Sequence, residues 1–242
     1  MKQIAVSVLA VIGALAIAGG AFRLWCNRPG RTAVSVNGRI LTDRELTWRA
    51  QTLLDDARRM EKLLVPEKKM AEAMRHYRRT AAKMWIVKEV LLAAAVESGV
   101  KVDGEDEKLS LDNMARQLKS RHLTTEQFFK EGPIPEKTKR SDFHETVLIG
   151  KYSKREIEDK ISLTTKEIDD RLKELRELNV EILKSGGKPR MKANRKTAID
   201  MLRQEKYNMA FRNLFREKFG KMGVECPAFP DLESVDGVSP PR

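Results

Sequence analysis

The sequence predicts a mostly α-helical fold, built of long helices around a small β-hairpin that a late strand closes. Three observations predict it. Apolar residues recur at steps of three and four over long uninterrupted stretches, as in Met70, Met74, Tyr77, Ala81, Met84, Leu91 and Ala95, with no Gly or Pro among them. Charged residues make up 34% of the chain and aromatics only 6%, a balance that suits amphipathic helices better than a β-sandwich. Against that background, Ala33-Val-Ser-Val-Asn-Gly-Arg-Ile-Leu-Thr-Asp-Arg-Glu-Leu46 carries a different pattern. Val34 and Val36 alternate with Ser35, Asn37-Gly38 suits a tight hairpin turn, and Arg39-Ile40-Leu41 reads as the return strand.

Each element has its own local cause. Thr42 and Glu45 have capping-box spacing, so a helix starts at about Asp43 and runs to Leu64, with Leu46, Ala50, Leu53, Leu54 and Ala57 on its apolar stripe. Pro66 opens the next helix, where its missing N–H is harmless. That helix continues to Gly99, a left-handed stop followed by apolar Val100. At ~1.5 Å per residue it spans roughly 45–50 Å. Its first half, with Arg75, His76, Arg78 and Arg79, is expected to project into solvent as an arm. A helix follows Asp103, with Leu111, Met114, Ala115 and Leu118 on one face. A short helix over 126–131 is capped by Thr124 or Thr125 and ended by Gly132-Pro133. Pro135 begins a longer one that reaches Lys160, with Phe143 and Val147 inside. Thr164 or Thr165 caps the next, which buries Ile168, Leu172, Leu175 and Leu178. Ser185-Gly-Gly-Lys-Pro189 is a loop, and a final helix covers 194–219. Val224 to Phe229 is a candidate strand. A two-stranded hairpin is barely stable alone, which makes this late segment its natural partner.

The order of these motifs resembles the SurA-like N-terminal chaperone domain. The valine-rich strand with Asn37-Gly38 and the Thr-x-x-Glu-Leu helix start match its opening. Trp85 to Val102 resembles its long helix ending in Gly-Val-Lys-Val. Leu123-Thr-Thr-Glu-Gln-Phe-Phe129 resembles its short helix, and Ile161-Ser-Leu-Thr-Thr-Lys-Glu-Ile168 resembles the segment leading into the isomerase domain of longer relatives. The resemblance covers roughly residues 33 to 230. It implies a helical chaperone that uses no ATP and binds unfolded exported or outer-membrane proteins. The parvulin-type prolyl isomerase domain is missing: the interval from Ile161 to the Ser185 loop is too short for it, and no His-Ile-Leu strand is present.

The N-terminus fits export. Ile4 to Phe22 carries no charge and follows Met1-Lys2, as in a signal peptide or a membrane anchor. Arg23, Arg28 and Arg31 follow it and oppose a standard inside-N orientation. Trp25 is a poor neighbour for lipidation at Cys26. The expected organisation is a signal peptide or anchor over 1–26, a helical chaperone domain over 27–230 and a disordered tail over 231–242. The expected location is the periplasm or cell envelope, free or anchored to the inner membrane through 4–22. Pairing of the late strand with the hairpin, as in related chaperones, would bring Cys226 toward Cys26. A disulfide there is compatible with an oxidising compartment; two free thiols are the alternative.

Catalytic motifs are missing. His76, His122 and His144 are scattered among polar residues, and no H-E-x-x-H, G-x-S-x-G, Walker or dinucleotide loop is present. No catalytic residue, metal or cofactor is expected, and binding is the reading that remains. The chain has ten methionines, and such side chains adapt to varied apolar partners. The candidate client-binding residues are Met70, Met74, Tyr77, Met84, Trp85, Phe128, Phe129, Met209, Phe211 and Phe215, each with core packing as its alternative. The net charge of +12 also favours acidic clients or an anionic membrane surface. Two other classes compete: a membrane-anchored helical scaffold, and a nucleic-acid binder using Arg75–Arg79 and Lys188–Lys196. Export argues against access to nucleic acid.

Overall fold

A computed structural model describes residues 30–61, 66–119, 123–189 and 191–238. The apolar stretch at 4–22, Cys26, Leu64 and His122 lie outside the described residues. The strands β1 (Thr32–Val36) and β2 (Arg39–Thr42) pair antiparallel through a turn in which Asn37 and Gly38 have φ of 48° and 80°. Both are left-handed positions that Asn and Gly tolerate. A bulge between Thr32 and Val34 shifts the register, so Ala33 and Val34 are both buried although they are neighbours. On the other edge of β1 lies β3 (Val224–Glu225), antiparallel, with Val36 opposite Val224. The turn is tied to it reciprocally: Asn37 N–H donates to Gly223 O at 2.9 Å, and Gly223 N–H donates to Asn37 Oδ1 at 3.0 Å. This last strand is shorter than the sequence predicts. Pro227 cannot donate to a ladder, and Phe229 N–H instead closes a turn on Cys226 O at 2.8 Å.

Glu45 accepts the Thr42 N–H at 3.0 Å, and Thr42 Oγ1 accepts the Glu45 N–H at 3.3 Å. This capping box starts α1 (Asp43–Glu61), which buries Leu46, Ala50 and Leu54. A short 3₁₀ turn, Glu67–Lys69, leads into α2 (Met70–Glu97). The two helices run antiparallel. Asp43 at the start of α1 pairs with Arg78 Nη2 at 2.9 Å, while Arg58 at its end donates to Met70 Sδ at 3.3 Å. The expected solvent arm is therefore corrected. The first half of α2 lies along α1, with Met74 and Tyr77 packed against the main core and Arg75 and His76 exposed. At Gly99 (φ 69°), the Gly99 and Val100 N–H groups donate to Val96 O and Ala95 O, a Schellman stop.

A second layer follows: α3 (Gly104–Lys119), α4 (Thr125–Lys130) and α5 (Glu136–Glu156). Thr124 and Gln127 form the capping box of α4. Helix α5 ends sooner than predicted, and a separate 3₁₀ turn covers Glu158–Lys160. Next comes a helical hairpin of α6 (Thr165–Lys184) and α7 (Arg195–Phe219). Glu167 completes the Thr164 capping box, and its carboxyl is held at about 2, chiefly by a hydrogen bond from Lys206 and then by Thr164. The box thus stays ionised at ordinary acidity. Helix α7 serves two cores. Ala198 and Leu202 pack on Ile168 and Leu175 of α6 in a small separate cluster, and Phe215 and Phe219 enter the main core with β1, α1 and α2. A third cluster joins Ala94, Ala95 and Tyr152, with Leu214 against it. Among the described residues, no helix is long and apolar enough to cross a membrane.

Within the expected disordered tail, residues 231–238 are folded. A 3₁₀ turn (Pro230–Glu233) and a short α8 (Val235–Val238) return Leu232 and Val238 to the main core. Two apolar anchors among nine residues, together with a two-pronged Arg79–Asp231 pair, outweigh the breaking tendency of Gly237. Cys226 is fully buried and bonded to no other cysteine among the described residues, and burial pushes its thiol up to about 11. Its expected partner, Cys26, is not among the described residues. Native protein treated with iodoacetamide at pH 8 should therefore leave Cys226 unmodified, and denatured protein should label it fully. Peptide mass mapping reads both states, and rapid native labelling would contradict this burial.

Candidate binding groove

Helix α3 carries apolar residues for which the rest of the chain supplies only part of a cover. Leu118 is buried at its end, Leu111 and Met114 are half-buried, and Leu109 is exposed. Facing it, α5 presents Phe143 and Val147. The space left between them forms two adjoining cavities. One, of about 420 Å³, lies among α1, α3, α4 and α5, with Leu118, Leu123, Phe128, Ile134 and Phe143 on its walls. The other, of about 830 Å³, runs between α3 and α5 to the end of α2, over Val100, Leu109, Met114 and Val147. Met114, Phe143 and Thr146 belong to both, so the two adjoin along a shared apolar wall and together form the groove.

The edges are polar and bridged. His144 Nδ1 lies 2.6 Å from Glu107 Oε1, and Lys151 pairs with Asp103 and Asp106. These contacts are largely exposed, and solvent screens such pairs so that they add little. They hold α3 to α5 weakly along the open side, while Leu118 fixes its far end. At the closed end, Phe129 is buried edge-on against Phe143, with centroids 6.0 Å apart. Arg140 lies over its other side at 4.5 Å. Lys139 donates to Phe128 O at 2.7 Å and to Glu131 O, so it caps the end of α4. Burial lowers its pKa.

Behind the groove, an ion cluster joins β2, α1, α2 and α5. Arg39 pairs with Glu89 at 3.0 Å and with Glu145 at 2.8 Å, and Arg49 pairs with Asp142 at 2.8 Å. Lys88 bridges Asp142 and Glu145. Glu89 is only 2% exposed. Neither of its oxygens accepts a well-directed hydrogen bond, so the Arg39 contact is an ion pair off the N–H axis. Burial pushes the Glu89 carboxyl above its ordinary range, Lys88 and Arg39 pull it back, and Glu145 and Asp142 add to the rise. Glu145 goes the other way: burial would raise it too, but hydrogen bonds from Lys88 and Arg39 outweigh that and lower it. For Glu89 the folded state binds its proton more tightly than the unfolded state does. Its contribution is complete below the ordinary carboxylate range and declines as pH rises through the folded value. Glu145 contributes above that range and loses its effect on acidification. A Glu89→Gln variant mimics protonated Glu89. Its melting temperature should gain on that of the parent as pH rises from about 4 to about 8. A difference that is flat or runs the other way over that range would refute the assignment.

The residues expected to bind clients do not share one surface. Phe128, 37% exposed, lines the groove. Trp85, Phe129 and Phe215 are buried in packed interiors, which corrects their expected role: a side chain already enclosed has no surface to offer. Met74, Tyr77 and Phe211 are half-buried against the main core, and Met70 is half-buried beside Arg58. Met84 and Met209 are 56% and 62% exposed, but neither lines the groove. The residues that sequence reasoning left out of the candidate set, Met114, Phe143, Leu118 and Ile134, form most of its floor. Their sequence signals were the apolar face of α3 for Met114 and Leu118 and that of α5 for Phe143. Among the described residues, no group of three or more His, Cys, Asp or Glu is placed to hold a metal ion. No protein-family model matches the chain, and no curated protein matches it.

Proposed function

We propose that the protein is an ATP-independent holdase of the cell envelope, of SurA-like type, that shelters extended apolar segments of unfolded exported proteins. The observation that carries this reading is the pair of adjoining cavities between α3 and α5, lined by Met114, Phe143, Leu118 and Val147. An extended segment laid in it exchanges water for apolar contact at about 25 cal/mol per Å² buried. Methionine and phenylalanine walls accept varied side chains. Binding of this kind needs no nucleotide and no isomerase step. The uncharged stretch from Ile4 to Phe22 supports export, with the segment either removed or kept as an inner-membrane anchor.

Aggregation suppression tests the proposal. An unfolded outer-membrane barrel protein diluted from denaturant should stay in solution when the full chain is present at near-equal concentration. The effect should persist in about 0.5 M salt, where attraction between exposed charges is screened. No suppression, or suppression abolished by salt, would overturn the apolar mechanism.

A further inference from the structure

We propose that the tip of the α6–α7 hairpin is a docking surface for an anionic lipid bilayer. The two flanks of α6 differ. Asp170, Glu174, Glu177 and Glu181 follow one another at steps of three and four, so they share one flank. Arg176 and Val180 run along the adjoining side with Leu183, and Lys184, three residues after Glu181, lies where the two sides meet at the tip. Val180 and Leu183 are well exposed, Leu183 at 59%. The inner face, Ile168 and Leu175, is taken by α7, so this basic and apolar flank faces outward.

The following loop is held in a fixed position at the end of α6. Gly186, with φ 76°, and Gly187 close a Schellman stop: their N–H groups donate to Leu183 O and Ile182 O. A Cβ on Gly187 would come within 2.9 Å of Ile182 Cγ2, so the close approach needs glycine. Asn179 Nδ2 then donates to Met191 O at 3.1 Å, which holds the returning chain against α6. Met191, Lys188 and Lys192 are exposed in this loop, at the same end of the hairpin as Val180, Leu183 and Lys184. Among the described residues, none of Arg176, Lys184, Lys188 and Lys192 is engaged in an ion pair.

Unpaired cations around exposed aliphatic side chains fit the headgroup zone of an anionic membrane, which takes both. Nucleic acid fits less well. The tip offers no aromatic ring for stacking, and phosphate gains nothing from Val180, Leu183 or Met191.

The test places a photo-crosslinking benzoylphenylalanine at Leu183 in the full chain, and at Glu177 in a second full chain as the control. Each is irradiated with phosphatidylcholine vesicles containing roughly a third phosphatidylglycerol, and lipid adducts are read by peptide mass. A lysine near an anionic surface is worth about fivefold in partition. Position 183 should form the lipid adduct and position 177 should not. The adduct at 183 should fall at least fivefold on pure phosphatidylcholine, and at least fivefold when Lys184, Lys188 and Lys192 are all changed to Gln. Because the two full chains differ only in the position of the probe, insertion of the N-terminal segment cannot mimic the difference. Equal yields at 183 and 177, a yield indifferent to lipid charge, or transfer of the adduct to an added oligonucleotide would each overturn the proposal.

Discussion

A chain ending at Met222 is expected to lose the cooperative thermal transition of the full-length protein. The deletion removes little by length, but it removes a wall of the main core. Cys226 and Leu232 are fully buried there and Val238 nearly so. Burying one large apolar side chain is worth about 1.5–3 kcal/mol. Loss of the three, with Phe219, Val34 and Val36 left partly uncovered, amounts to on the order of 5–8 kcal/mol. Whole domains are stable by only about 5–15 kcal/mol. The sheet also loses β3, and the Asn37 turn loses both hydrogen bonds to Gly223. A double variant, Leu232→Ala with Val238→Ala, keeps β3 and should fall between parent and truncation in calorimetry. If the truncated chain melts at the parent temperature with the parent enthalpy, the hairpin is supported by other contacts.

The elements that could be read from the sequence are those fixed by neighbours a few residues away. Thr42 with Glu45, Thr124 with Gln127 and Thr164 with Glu167 each set a helix start within the first turn. Gly99 set a stop by the same local means. What depended on distant partners was harder to read. The basic residues on the first half of α2 suggested an arm because their partners, Asp43 and Asp231, lie 35 and 152 residues away. The last segment looked disordered because it carries Gly237 and Pro240-Pro241 and no helical period, whereas the fold of 231–238 rests on Leu232 and Val238 reaching a core assembled from the other end of the chain.

The groove was legible only in part, for a related reason. Periodicity gives the apolar face of a helix but not whether anything covers it. Phe128 and Phe129 are adjacent and chemically identical, yet one faces the cavity while the other is enclosed by Phe143 and Arg140. Phe215 and Met209 both lie on α7. Phe215 enters the main core, and Met209 lies on the helix surface. The face of α3 was visible as a stripe of leucine and methionine. That it stays partly open follows from the polar contacts of α5, which meet α3 at His144 and Lys151 rather than through packed side chains.

A single charge at the shared wall of the groove should separate binding from folding. Met114 belongs to both cavities and to none of the buried clusters. A Met114→Asp change places a carboxylate where an apolar client segment would lie. An ionised group facing apolar surface without a partner is strongly disfavoured. Client affinity, measured by competition with a labelled unfolded peptide, should fall at least tenfold, which corresponds to about 1.4 kcal/mol. The melting temperature should change little, since a partly exposed site outside the cores shifts stability by roughly 0.5 kcal/mol. Met114→Leu restores an apolar side chain of similar volume and should bind like the parent. Met209→Asp is the informative contrast, because Met209 is more exposed but lies outside the groove. It should leave affinity unchanged. If Met209→Asp weakens binding and Met114→Asp does not, clients use the outer face of α7, and the groove between α3 and α5 is not where they are held.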